Sequence, residues 1–126
     1  MKYFILSLIL ILSTQSLFAQ SGEKTFNGIS DCFMKNDYKN LGKHFAATMD
    51  LIIENNDGTF GKQQAMMMLK DFFDQNKISQ FKIKHQGSSN ERTFYAICSM
   101  ASSKKNWSVY ILLNNQSKII QLQIEE

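Results

Sequence analysis

The chain has two histidines that chemistry could use, and they stand far apart in the sequence. His85 closes the alternating run Phe81, Ile83, His85, just before Gly87-Ser88-Ser89-Asn90. An imidazole at a strand end among apolar neighbours suits ligand binding or general-base work. The competing reading is a neutral ring bonded to backbone or to a neighbour, steadying the turn. With those four residues as the turn, Arg92 falls opposite His85, and a guanidinium there makes the imidazole a poorer base. His85, Arg92 and Trp107 form the candidate ligand-binding set.

Other reactive types give less. His44 shares no helical spacing with His85, and no Cys or His pair has ligand spacing, so neither a metal nor a cofactor is expected. Asp31, Asp37, Asp57, Asp71 and Asp74 fall in turns or on helix surfaces; Asp50 precedes a strand and could point inward. No two carboxylates are spaced for acid/base work, and no catalytic residue is assigned. There is no Gly-rich phosphate loop, and Ser88-Ser89 reads as a turn. Met66-Met67-Met68 puts Met68 on a buried stripe and Met67 on the opposite side of its helix, an adaptable patch or simple core filler. Cys32 and Cys98 read as buried. A bridge between them would close a loop of roughly 67 residues, worth about 4 kcal/mol in the chain-entropy model. Two buried thiols are the alternative.

These residues must be positioned by a sheet. Phe94, Ala96, Cys98 and Met100 share one face, with Tyr95, Ile97 and Ser99 on the other. Trp107, Val109, Ile111 and Leu113 alternate with Ser108, Tyr110 and Leu112. Ile120, Leu122 and Ile124 alternate with Ile119, Gln121 and Gln123. The polar turn Ser102 to Lys105 sets Met100 against Trp107 and Cys98 against Val109. The turn Asn114 to Ser117 sets Ile111 against Ile120 and Val109 against Leu122. A one-residue slip would send each apolar set to the wrong face. Phe81, Ile83 and His85 join the dry face, while Lys82 and Lys84 guard an edge.

Upstream lie helices to cover the dry face. Phe26, Ile29 and Phe33 set a helix over residues 23–35, and Asp37 caps a short one running through Leu41 and Phe45. Met49 to Glu54 is a strand, Asn55-Asn56-Asp57-Gly58 a hairpin turn, and Thr59-Phe60 starts the return. Lys62 to Gln75 is a helix with Ala65, Met68, Leu69, Phe72 and Phe73 on one stripe.

Met1 to Ala19 reads as an export signal, with Lys2 ahead of the apolar stretch Phe4 to Leu12 and a small residue before Gln20. Nine residues fall well short of the ~20 needed to span a bilayer. The signal leaves residues 20–126 as a single domain, secreted or periplasmic, with no membrane attachment after cleavage. Loss of Lys2 leaves 13 basic residues against 11 acidic, a net charge of +2. No basic run exceeds Lys104-Lys105, which excludes nucleic acid as the expected partner.

Helix, helix, hairpin, helix and a four-stranded meander make an α+β order. It resembles the nuclear transport factor 2-like (cystatin-like) cone, three helices held against a curved, mostly antiparallel sheet. More closely, the chain is similar to a family of small exported bacterial proteins catalogued as domain of unknown function 4783. Lys62-x-Gln64-Ala65, Leu69-Lys70-Asp71-Phe72-Phe73 and Phe81-Lys82-Ile83-Lys84-His85-Gln86-Gly87 carry the likeness. Tyr95-Ala96-Ile97, Val109-Tyr110-x-Leu112-Leu113 and Gln121-Leu122-Gln123-Ile124-Glu125 extend it over nearly the whole chain after the signal. It departs at Gly61 and Cys98, where the family suggests Ser and Gly. The resemblance implies a fold and an exported location but no activity; related cones that are enzymes keep an acid and a tyrosine inside the pocket.

The expected function is a non-enzymatic exported module that binds a small apolar ligand or a protein. It self-associates as a homodimer through Tyr95, Ile97, Tyr110, Leu112, Gln121 and Gln123. The alternative is a small-pocket enzyme, of isomerase or dehydratase type, using His85.

Overall fold

The computed structural model describes residues 22–90 and 92–126. The expected export signal, Met1 to Ala19, lies outside the described residues. Residues 22–34 form α1, which buries Phe26, Ile29, Cys32 and Phe33 along one stripe. The chain leaves α1 through Asn36, whose backbone is left-handed (φ 53°), a conformation that asparagine tolerates better than most residues. The Asn36 side chain then acts as a strand in miniature. Its Nδ2 donates to the Ile78 carbonyl at 3.1 Å, and its Oδ1 accepts from the Ile78 amide at 2.8 Å.

Asp37 caps α2, Tyr38–Gly42, by accepting from the Asn40 amide. The expected continuation to Phe45 does not occur, because Phe45 opens strand β1, Phe45–Ile53. The hairpin turn also moves. It is Glu54-Asn55, with Ile53 paired to Asn56, so Asn56 to Gly58 already belong to β2, Asn56–Gly61. Glu54 takes the left-handed conformation (φ 54°) that so short a turn needs. Helix α3 spans Lys62–Gln75 as its periodicity predicts, and Ala65, Leu69, Phe72 and Phe73 are buried. Met68 is only half-buried against the core, and Met67 faces out at 51% exposure.

The remaining strands are β3 (Ile78–Asn90), β4 (Thr93–Ser102), β5 (Asn106–Leu113) and β6 (Ile119–Glu125). They form an antiparallel meander. Strand β6 then pairs in parallel with β1, giving one six-stranded sheet in the order β2-β1-β6-β5-β4-β3. Met100 lies opposite Trp107 and Cys98 opposite Val109, as the turn chemistry predicts. The β5–β6 register is two residues from expectation: Val109 meets Ile124 and Ile111 meets Leu122. Asn114 holds the five-residue loop 114–118, one residue longer than the expected turn, by accepting from the Gln116 and Lys118 amides on Oδ1. Leu113 then pairs with Ile119, and Ile120 is the extra residue of a bulge. Ile119, expected on the outer face, is therefore fully buried, and Ile120 is only half-buried.

Strand β3 carries three unpaired residues, Ser79, Lys84 and Ser89. Each bulge bends the strand and adds twist, which a flat ladder cannot supply to a sheet that wraps helices. The core between sheet and helices is aromatic. Phe33 stacks on Phe81 with ring centroids 4.5 Å apart, and Phe72 meets Trp107 edge-on at 5.3 Å. Among the described residues no polar or charged side chain is buried there.

Candidate functional site

The outer sheet face, turned away from the helices, holds most of the candidate residues. Bulged strands set its composition. Because Lys84 pairs with nothing, Ile83 stands opposite Cys98 while His85 stands opposite Ile97. That extra residue reverses the parity of everything after it. His85 is thus exposed on the outer face, not lodged on the dry face beside Phe81 and Ile83. Its Nε2 lies 2.8 Å from the Tyr95 hydroxyl, within hydrogen-bond reach. Gly87 makes this contact feasible. It pairs with Tyr95 across the strands, and a Cβ at Gly87 would meet the Tyr95 ring at 3.2 Å. The phenol lies across the bare glycine and reaches His85 over the edge.

Arg92 is not opposite His85. Asn90 pairs with Thr93, so Gly87 to Asn90 are strand and not turn. The Arg92 amide donates to Asn90 Oδ1 at 2.8 Å. Trp107 lies on the other side of the sheet and is buried. Its Nε1 donates to Glu54 Oε1 at 3.1 Å, and Lys105 Nζ stands 3.8 Å from the same oxygen. The three residues expected to share one ligand site are therefore dispersed.

The six expected interface residues do come together. Cross-strand pairing arranges the outer face in rows perpendicular to the strands. One row runs His85, Ile97, Tyr110, Gln123, Ile52. The next runs Gly87, Tyr95, Leu112, Gln121, Asp50. Ile97 is 44% exposed, a high value for an isoleucine in mid-strand. Tyr95, Tyr110, Leu112, Gln121 and Gln123 are half-exposed around it. Asp50, which could have pointed inward, is on this face, and its Oδ1 accepts from the Thr59 hydroxyl at 2.7 Å. The Gly87–Tyr95 contact and the membership of Ile52 were not read from the sequence. A glycine cross-strand from a tyrosine was the available signal for the first, but Gly87 was assigned to a turn.

Elsewhere the titratable groups are structural. His44 sits in the turn after α2, half-buried, where a Cβ on Gly28 would come within 3.7 Å of its ring. Burial, and then the Lys118 ammonium, lower its pKa below the ordinary histidine value. Burial pushes the Cys98 thiol up to about 12 and raises Cys32 as well, with Asp37 and Asp31 adding to the latter. Both thiols are free and buried. Among the described residues no group of three or more His, Cys, Asp or Glu is placed to hold a metal ion.

A protein-family model described as Domain of unknown function (DUF4783) matches residues 26–125. A DUF4783 family protein from Bacteroides ovatus is 26% identical, with a TM-score of 0.73 over 79% of this chain and 92% of that one. A designed NTF2 protein with a long sheet superposes with a TM-score of 0.70 at 12% identity, over 82% of this chain and 98% of that one. A protein from Bacillus subtilis described as a putative isomerase gives 0.65 at 14% identity, over 84% of this chain and 86% of that one. No curated protein matches the sequence.

Proposed function

Since the chain belongs to the family described as domain of unknown function (DUF4783) and has the nuclear transport factor 2-like fold, we propose that it is an exported, non-enzymatic binding module that self-associates through its outer sheet face. One observation carries the reading. Ile97, Tyr95, Tyr110 and Leu112 form a contiguous apolar and aromatic patch across β4 and β5, with Ile97 44% exposed. Lys82 and His85 on one flank, and Gln121 and Gln123 on the other, give it a polar rim. An aromatic centre inside a polar rim is the composition of a protein interface. An uncovered apolar patch on a sheet marks an association site.

An isomerase-like mechanism would need an acid/base group in the interior between sheet and helices. The hydrogen-bonded pair His85 and Tyr95 lies outside that interior. A binding role accommodates them as polar members of a contact surface, and a small apolar ligand or a second copy of the chain are its candidate occupants.

Two experiments test the reading. Changing Tyr110 and Leu112 together to Asp should give a folded monomer by light scattering where the unchanged protein is a dimer. A monomer at high micromolar concentration before any substitution would sink self-association. For export, N-terminal sequencing of the secreted or periplasmic fraction should find Gln20 as the first residue, within two positions. An intact Met1 there would contradict cleavage.

A further inference from the structure

The outer face is not only apolar at its centre; it is graded in charge from one flank to the other. A third row runs Lys82, Ser99, Ser108, Glu125, from β3 across β4 and β5 to β6. All but the half-exposed Ser99 are exposed. Among the described residues neither Lys82 nor Glu125 has an ion-pair partner within the chain. The neighbouring row repeats the order with weaker groups: imidazole at His85, apolar at Ile97 and Tyr110, amide at Gln123. These two rows run from a basic side chain on β3 through neutral residues to a carboxylate or an amide on β6, while the row that begins at Gly87 is neutral from β3 to β6.

A surface of this kind is complementary to its own reversal. An isologous interface places one patch against the same patch turned by a two-fold axis lying in the interface plane. With the axis along the strands between β4 and β5, each row meets itself reversed. Then β3 of one copy lies over β6 of the other, and β4 over β5. Ile97 faces Tyr110, Tyr95 faces Leu112, and Lys82 faces Glu125 twice over. With the axis turned across the strands, β3 would lie on β3 and the basic flank would repel its twin.

We propose, building on self-association through this face, that the partner is a second copy seated with its two-fold axis along the strands between β4 and β5, so that Lys82 of each copy pairs with Glu125 of the other. Packed sheets keep their strand directions within about 30° when aligned, so the rows stay close enough for long side chains to reach. Rim charges of this sort set the register of an interface more than its strength.

The test is a charge exchange read by sedimentation equilibrium, with thermal unfolding confirming that each exposed substitution leaves the fold intact. K82E and E125K should each weaken the dimer about tenfold, because each reversal turns an attraction into a repulsion at two symmetry-related places. The double variant K82E/E125K should return to within about threefold of the unchanged protein, since the pair is restored with its signs exchanged. Tightening by the neutral K82Q, which would relieve a like-charge contact in both copies at once, would overturn this axis in favour of β3 on β3. No change on either reversal, or no recovery in the double variant, would overturn it as well while leaving self-association standing. An unchanged protein that stays monomeric would remove both.

Discussion

His85 reaches the outer face through one unpaired neighbour. Alternation counted from Phe81 puts it on the dry side, and only the bulge at Lys84 reverses that. Bulges leave almost no mark in residue type, so this position was not legible, whereas Ile97, Tyr110 and Leu112 were. Asn36 was equally hidden. Its role depends on Ile78, 42 residues away, and no local pattern announces a side chain that imitates a strand. His44 offers a test at this scale. Its folded-state pKa is held down by burial and by Lys118, so the unfolded chain binds the proton more readily. Stability should therefore be full above the unfolded value of ~6.5 and fall as pH drops from there toward the folded value. His44→Gln should flatten that part of a thermal-unfolding profile between pH 7 and 5. An unaltered profile in the His44 variant would assign the slope to carboxylates instead.

Among the elements, α3 was readable to its ends because fourteen residues of sustained 3.6-residue periodicity leave little freedom. The β3–β4 and β5–β6 hairpins were not readable in register, nor in face beyond their bulges, because an unpaired residue shifts both without changing composition. Asn114 shows why: by satisfying two loop amides it holds a five-residue loop where a four-residue turn was expected. The β3 bulge makes an unusual prediction. Removing one residue from mid-strand normally inverts every side chain beyond it. Deleting Lys84 should not, since Ile83 and His85 would then oppose Cys98 and Ile97 in plain alternation. That deletion should cost less than about 1 kcal/mol and keep the His85 and Tyr95 rings in contact by nuclear Overhauser effect. Deleting Gln86 should cost more, because Gly87 would slide opposite Ala96 and leave the Tyr95 ring without its platform. Equal losses from the two deletions would mean that the bulge is required in itself, as a bend and not as a spacer.

At the scale of the whole molecule, the α+β order and the covered face were legible because β4 and β5 carry their buried residues on one parity. What covers what is a tertiary fact, and the two cysteines report on it. Cys98 sits in β4 between two paired strands and beneath the helices, at 2% exposure. Its thiol is pushed up to about 12 by burial, so almost no thiolate exists at pH 8. Access and ionisation thus oppose its reaction together. Cys32 lies on α1, also buried, with its thiol raised less far. Detachment of one helix would free Cys32 without breaking the sheet, whereas freeing Cys98 needs the sheet to open. Alkylation of the native protein at pH 8, followed by peptide mass analysis, should therefore modify Cys32 first. Modification of Cys98 should appear only at the denaturant concentrations where the whole fold is lost. Rapid labelling of Cys98 in native buffer would mean that β4 separates from its neighbours locally, without loss of the whole fold.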